Sequence, residues 1–307
     1  MYIVDFVKRM TRKANAAVMI YLLINVFVIA AIIGAFIGDG HMPFWQSLLI
    51  GIILYGVSLM IALSPFGEWI LRVQNGCKKI TREEQRAFVE PIFREVYEQA
   101  KKRDHSIPDD VQLYINDDQD PNAFATGRKT ICITEGMLEM PVEQIKATLA
   151  HEFGHLAHKD TDLILVVAVG NMIISLMILG IRIFIDLVHF VISIATIFVG
   201  GPEGVLGYIS GVIYHALITA VVAGLTWIWT QIGIMLVMKS SRENEFEVDA
   251  FASELGYGNA LCALLDTIAT PHTKGLFASL VSSHPDKNDR ITKLQALGAT
   301  YRKVYGA

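Results

Sequence analysis

The sequence predicts a mainly α protein in which a four-helix transmembrane region carries a small α+β domain on the cytoplasmic side. Three observations predict it. Of 307 residues 53% are hydrophobic and the mean hydropathy is +0.44, too apolar for an ordinary soluble domain. The apolar residues are pooled: 16–37, 45–63, 163–181 and 212–238 each approach the roughly 20 residues that cross a bilayer as a helix. The polar remainder mixes helical periodicity with short β-branched runs, as an α+β domain does.

Positive charge sets the orientation. Lys8, Arg9, Arg12 and Lys13 precede the first span, whereas 38–44 contains no Lys or Arg, so the N-terminus is cytoplasmic and that loop is outside. The first apolar run is too long for a signal-peptide core and no clean small-residue cleavage site follows it; it is a retained anchor. Arg72, Lys78 and Lys79 follow the second span inside, and Lys239 and Arg242 follow the fourth. The stretch 183–206 is also apolar, but another full span would put the downstream residues on the wrong side. It therefore extends a helix or lies on the outer surface. His189 and His215, in or beside the apolar runs, are read as hydrogen-bonding groups between helices or at the interface. The chain then divides into 1–65 (two spans), 66–162 (first cytoplasmic part), 163–238 (membrane hairpin) and 239–307 (second cytoplasmic part).

In the cytoplasmic parts, Thr81-Arg82-Glu83-Glu84 has capping-box spacing, and Phe88, Val89, Ile92, Phe93, Val96, Tyr97 and Ala100 follow at helical period, with Pro91 kinking that helix or sitting near its start. Val111–Ile115 and Thr130–Thr134 read as strands joined through turn formers from Asp117 to Gly127. Pro141 opens the next helix. Beyond the fourth span helix resumes to Leu255, stops at Gly256, and two shorter helices follow. A net charge of −4 excludes nucleic acid as a partner. Cys77, Cys132 and Cys262 form no CxxC pair and read as small buried hydrophobes in a reducing compartment.

Chemistry concentrates at His151-Glu152-Phe153-Gly154-His155. On a helix, residues i and i+4 share a face, so both imidazoles can reach one ion, with Glu152 about 100° round as a general base for the attacking water. Gly154 lets a neighbouring element come close. Zinc needs a third protein ligand. His158 and Thr161 do not supply the HExxHxxGxxH pattern, and His158 is read as a solvated or interfacial histidine. The one dense acidic helix, 241–250, emerges on the same membrane side, but spacing leaves Glu243, Glu245, Glu247 and Asp249 open.

Four stretches in this order, "NAFATGR" at 122–128, "HEFGHLAHKD" at 151–160, "SRENEFEVDA" at 241–250 and "SHPDKNDRI" at 283–291, resemble the HtpX family of membrane-embedded zinc metalloproteases, relatives of the CAAX prenyl proteases. The resemblance covers nearly the whole chain. It implies a zincin-like domain in which His151, His155 and Glu245 hold one Zn2+ and Glu152 is the catalytic base. Asp249 would orient a ligating imidazole, and Asp160 would have a structural role. Arg242, His284 and Arg290 are candidates for stabilising the oxyanion. Asn122, Ala123, Phe124 and Ala125 would form an edge strand to which an extended substrate adds. The implied activity is hydrolysis of misfolded or damaged membrane proteins and unfolded polypeptides at a bacterial inner membrane. The alternatives are a zinc-binding scaffold without turnover and a narrowly selective processing peptidase.

Overall fold

The computed structural model describes residues 16–36, 42–267 and 285–302. Two compact units share the chain, one built on 61–166 and 235–307, the other on 20–60 and 167–234.

The second unit contains most of α1 (Ala16–Phe36), α2 (Phe44–Ala62) and the middle of α6 (Asp160–Glu254). At 1.5 Å rise per residue a straight helix of α6's 95 residues would run about 140 Å. Within this unit the run doubles back, because the Tyr21 hydroxyl donates to the Trp229 carbonyl (3.1 Å) and also accepts from the Asn171 side chain. The stretch 183–206 is helical throughout. Small residues let α1 and α2 touch: a Cβ on Gly51 would lie 3.2 Å from the Ala30 nitrogen.

A polar network lies inside this unit, among buried apolar side chains such as Ile29, Ile33 and Val169. Asn25 Nδ2 donates to the Tyr55 hydroxyl (3.1 Å) and to Asn171 Oδ1 (3.0 Å), and Trp229 Nε1 donates to Asn25 Oδ1 (2.7 Å). The outside is apolar, with Leu23, Phe27, Ile53, Phe190, Leu217 and Leu225 all exposed. An apolar exterior around a buried polar network suits lipid as the solvent. By length and composition, α2 is the helix among the described residues that can cross a membrane, and shorter apolar helices span Ala16–Ala31, Thr161–Leu176, Val205–Tyr214 and Trp227–Val237.

The first unit is a three-stranded sheet covered by helices. It comprises α3 (Pro65–Gln74), α4 (Glu83–Arg103), β1 (Gln112–Asn116), β2 (Ala123–Thr126), β3 (Thr130–Thr134), a 3-10 turn (Gly136–Glu139), α5 (Val142–His158), the end of α6, α7 (Gly258–Thr267) and α8 (Lys287–Ala296). All five β3 residues are buried. Phe153 of α5 stacks on Phe93 and Tyr97 of α4, each with centroids 5.4 Å away, and Ile131, Ile133, Ile145, Leu149 and Leu261 close the core.

Two local expectations are corrected. The link between 112–116 and 130–134 is not a plain turn: β1 runs parallel to β3, and the connecting segment contributes β2, at the edge strand expected from the resemblance, which pairs antiparallel with β3. Parallel neighbours need a crossover, and residues 117–129 make it by laying down β2. Thr81 caps nothing. Arg82 holds the N-cap position of α4 without a side-chain hydrogen bond, and its guanidinium instead reaches Glu135 (3.1 Å). The expected stop at Gly256 holds, with φ +93 just past the end of α6. Cys132 and Cys262 are buried, as read from the sequence. Cys77 is half-buried and receives a hydrogen bond from Cys132, which together with the nearby Arg72 guanidinium lowers its pKa against the effect of burial.

Candidate active site

Helix α5 carries the central residues. Its buried stripe of Ile145, Leu149, Phe153 and Leu156 fixes its rotation against the core, which turns His151 and His155 to a common side. Their rings stand edge to face, 4.9 Å apart. His151, Glu152 and His155 place potential ligand atoms within 4.8 Å of one another. The helix stops at Lys159, which adopts left-handed backbone (φ 57) and redirects the chain into α6.

The far end of α6 brings Glu245 to the same point. His151 Nε2 lies 3.6 Å from Glu245 Oε2, and His155 Nε2 lies 3.4 Å from Glu245 Oε1. Asp249, one turn further on, faces the other nitrogen of the first imidazole, with Nδ1 2.9 Å from its Oδ1. A carboxylate at Nδ1 holds the proton there and leaves Nε2 as a lone-pair donor.

Arg290 completes the arrangement from α8. It is 6% exposed, donates Nε to Asp249 Oδ2 (2.7 Å) and Nη2 to Asp249 Oδ1 (2.6 Å), and puts Nη1 3.5 Å from Glu245 Oε2. Burial alone would raise the pKa of Asp249; hydrogen bonds from Arg290 and His151 outweigh it and hold the carboxyl below its ordinary value. Burial likewise opposes the charge on Arg290, and Asp249 more than restores it. Both groups are therefore charged and paired.

Glu152, in the same cluster, is also held by the sheet. Its Oε2 accepts the backbone N–H of Ala125 in β2 at 2.7 Å, across from the core-facing side of α5. β2 pairs on one side only, with β3 (order β1-β3-β2), so the Ala125 N–H is directed off the sheet edge, and by strand alternation Ala123 faces the same way. Asn122 lies just before the strand, where its carbonyl accepts from the Thr134 N–H (2.9 Å). Phe124 is half-buried within it.

The donor set fits a tetrahedral transition metal. Two imidazole nitrogens and one carboxylate suit zinc, whereas calcium and magnesium take oxygen donors. Ligands at about 2.0–2.1 Å on a tetrahedron stand roughly 3.3 Å apart, close to the separations seen here. A fourth corner would remain for water or substrate.

Gly154 makes this approach of α6 to α5 possible. A Cβ there would come 2.7 Å from Val248 Cγ1, on the turn that separates Glu245 from Asp249. Gly154→Ala is expected to destabilise the protein by about 1–3 kcal/mol through overpacking. Thermal unfolding in detergent checks it, and adding Val248→Ala should recover most of the loss.

Of the residues singled out from the sequence, His151, Glu152, His155, Glu245, Asp249, Arg290, Ala123 and Ala125 fall in one neighbourhood. His158 stands apart, with Nδ1 4.0 Å from Glu247 Oε2. His284 lies outside the described residues, as do the side chains of Arg242, Glu243, Asp160 and His215. Two contributions were not read from the sequence. One is the Ala125 N–H on Glu152. The other is Glu68 of α3, a buried carboxylate that accepts the Lys129 N–H (2.9 Å) and the Thr130 hydroxyl (2.7 Å) and so pins the β2–β3 turn. No spacing rule flags either.

This combination of an HExxH helix, a distal carboxylate and an edge strand over a small sheet defines a metallopeptidase. The peptidase family M48 matches residues 87–297, and the chain belongs to that family. Its sequence is similar to that of protease HtpX of Ectopseudomonas mendocina, at 24% identity over 92% of this chain and 99% of the relative. Protease HtpX of Idiomarina loihiensis is 27% identical over 78% of the chain and 86% of its own length. A protease HtpX homolog of Desulfotalea psychrophila is 28% identical over 79% and 84%. The resemblance carried by the four motifs is thereby borne out, and the protein is a metalloprotease.

Proposed function

We propose that the protein is a zinc endopeptidase integral to a bacterial inner membrane, cutting misfolded or damaged membrane proteins and unfolded polypeptides at the cytoplasmic face. The observation that carries this reading is the convergence of the Glu245 carboxylate on the Nε2 atoms of His151 and His155, from two ends of the chain separated by the apolar hairpin. Four spans, two N-terminal and two in α6, are supported by the apolar exterior and buried polar network of the unit 20–60 and 167–234. On this reading 66–162 and 239–307 form the two halves of the catalytic domain, joined through the membrane hairpin 163–238.

His151, His155 and Glu245 would hold the ion, and Asp249, backed by Arg290, would keep the His151 Nδ1 protonated. When bound, zinc supplies a Lewis acid that polarises the scissile carbonyl and acidifies water. Glu152 takes the proton from the attacking water and delivers it to the departing amine nitrogen. Its hydrogen bond from Ala125 ties that base to the edge strand. An extended substrate aligns along the same edge, on main-chain groups of Ala123 and the Ala125 carbonyl, with little demand on its side chains. That mode of binding suits broad specificity.

The test is cleavage of casein and of a destabilised membrane protein by the reconstituted enzyme, with and without 1,10-phenanthroline. Cleavage of both, lost with chelator and restored by zinc, is the expected result. Failure to cut either substrate in the zinc-loaded state would favour a scaffold or a narrowly selective peptidase.

A further inference from the structure

Helix α3 has a face that the proposed chemistry leaves unused. It begins two residues after α2 ends, where Ser64, in extended conformation, breaks the helix and its hydroxyl accepts the Phe66 N–H. The chain turns tightly there. A Cβ on Gly67 would stand 2.1 Å from the Ala62 carbonyl oxygen, so the turn at 62–67 is one that only glycine permits. At helical spacing Phe66, Trp69 and Val73 then form one stripe, exposed by 56%, 51% and 60%. The two aromatic rings stack with centroids 5.6 Å apart, presenting a flat apolar patch. On the opposite side of the same short helix, Gly67, Glu68 and Leu71 are buried, and Glu68 grips the β2–β3 turn at Lys129 and Thr130. Gly127 in that turn (φ +65) leaves no room for anything larger: its Cβ would lie 2.5 Å from Glu68 Cγ.

We propose that α3 lies in the lipid–water interface, with Phe66, Trp69 and Val73 among the headgroups and upper acyl chains, and that through Glu68 it holds the substrate edge strand β2 at that depth. The occupant of this face is a lipid surface. Three facts favour it. The stripe is continuous in sequence with the lipid-crossing helix α2, since only Leu63 and Ser64 intervene. Its aromatic members are the residue types that settle at membrane interfaces. The nearby cations are engaged within the protein, Arg72 on Thr130 (3.2 Å) and over the Tyr114 ring, Arg128 on the Leu63 carbonyl (2.9 Å) and Lys129 on Asp110 (2.7 Å), which favours apolar insertion over attraction to anionic lipid. The inference rests on the membrane reading above. It adds a selection rule: segments of a substrate just leaving the bilayer meet the edge strand first.

The experiment uses the full chain in phosphatidylcholine vesicles, with a nitrobenzoxadiazole dye on Val73→Cys in a Cys77→Ser background. Ile53→Cys, in α2, carries the same dye as reference. At position 73 emission shifts to the blue and is quenched more by 5-doxyl than by 12-doxyl lipid, with the order reversed at 53. Quenching at 53 without any at 73 puts α3 in water and overturns the proposal while sparing the membrane reading. No quenching at either position removes both. As a functional readout, Phe66→Ser with Trp69→Ser should slow cleavage of a membrane-embedded substrate about tenfold and leave casein cleavage unchanged. Equal effects on the two substrates would break the link to β2.

Discussion

Glu152→Gln is expected to lower peptide-bond hydrolysis by about 10²–10⁴-fold, the usual contribution of a general base. At about 1.4 kcal/mol per factor of ten, that is roughly 3–5 kcal/mol of transition-state stabilisation. Glutamine keeps the size of the side chain and still accepts the Ala125 N–H with its amide oxygen, so β2 and α5 stay where they are. It has no basic oxygen to receive a proton. Metal content and thermal midpoint should therefore match wild type, with the loss falling on kcat. A variant that loses metal as well would show that Glu152 ligates the ion, a role the closeness of the His151, Glu152 and His155 donor atoms also permits.

The second large effect is on stability. Arg290→Met removes the guanidinium that pairs both oxygens of Asp249, a residue 2% exposed. Leaving one buried charge without its partner costs about 3–5 kcal/mol. Combining Arg290→Met with Asp249→Leu should return most of that stability, because two apolar groups replace a pair whose desolvation was already expensive. It should not return the metal. Without a carboxylate on Nδ1 the His151 ring is free to rotate and change tautomer, and losses of this kind weaken metal affinity by about 10–100-fold. Thermal unfolding in detergent and competition with a chelating dye separate the two quantities. A double variant that binds metal as wild type does would confine the Asp249–Arg290 pair to holding α8 against α6.

What the sequence made legible was whatever is local. The two imidazoles are one helical turn apart, so their common face follows from 3.6 residues per turn. Gly154 announced a close neighbour, which is Val248. The apolar runs and the stop at Gly256 follow from composition and from glycine's tolerance of positive φ. Pairings across long separations were not legible in spacing. Glu245 stood among four equivalent acids until the family resemblance separated it. Arg290 reaches Asp249 across 41 residues of sequence. The sequence left it open between an electrophile for the oxyanion and an ordinary salt bridge, and both of its short hydrogen bonds go to Asp249. The edge strand β2 came from the family resemblance, because four residues set among turn formers carry too short a pattern of their own, and nothing in spacing showed that β1 would pair parallel with β3. The capping box failed for a physical reason too: Arg82 extends to Glu135, and the helix starts one residue later than the box requires.

In the proposed centre a carboxylate from the far end of α6 joins the two imidazoles of α5 around one ion. Metal analysis of the purified protein beside Glu245→Ala tests it most directly, with circular dichroism to verify that the variant remains folded. One zinc ion per wild-type chain and little metal in the folded variant are expected. A folded Glu245→Ala protein that keeps its full equivalent of zinc would contradict it.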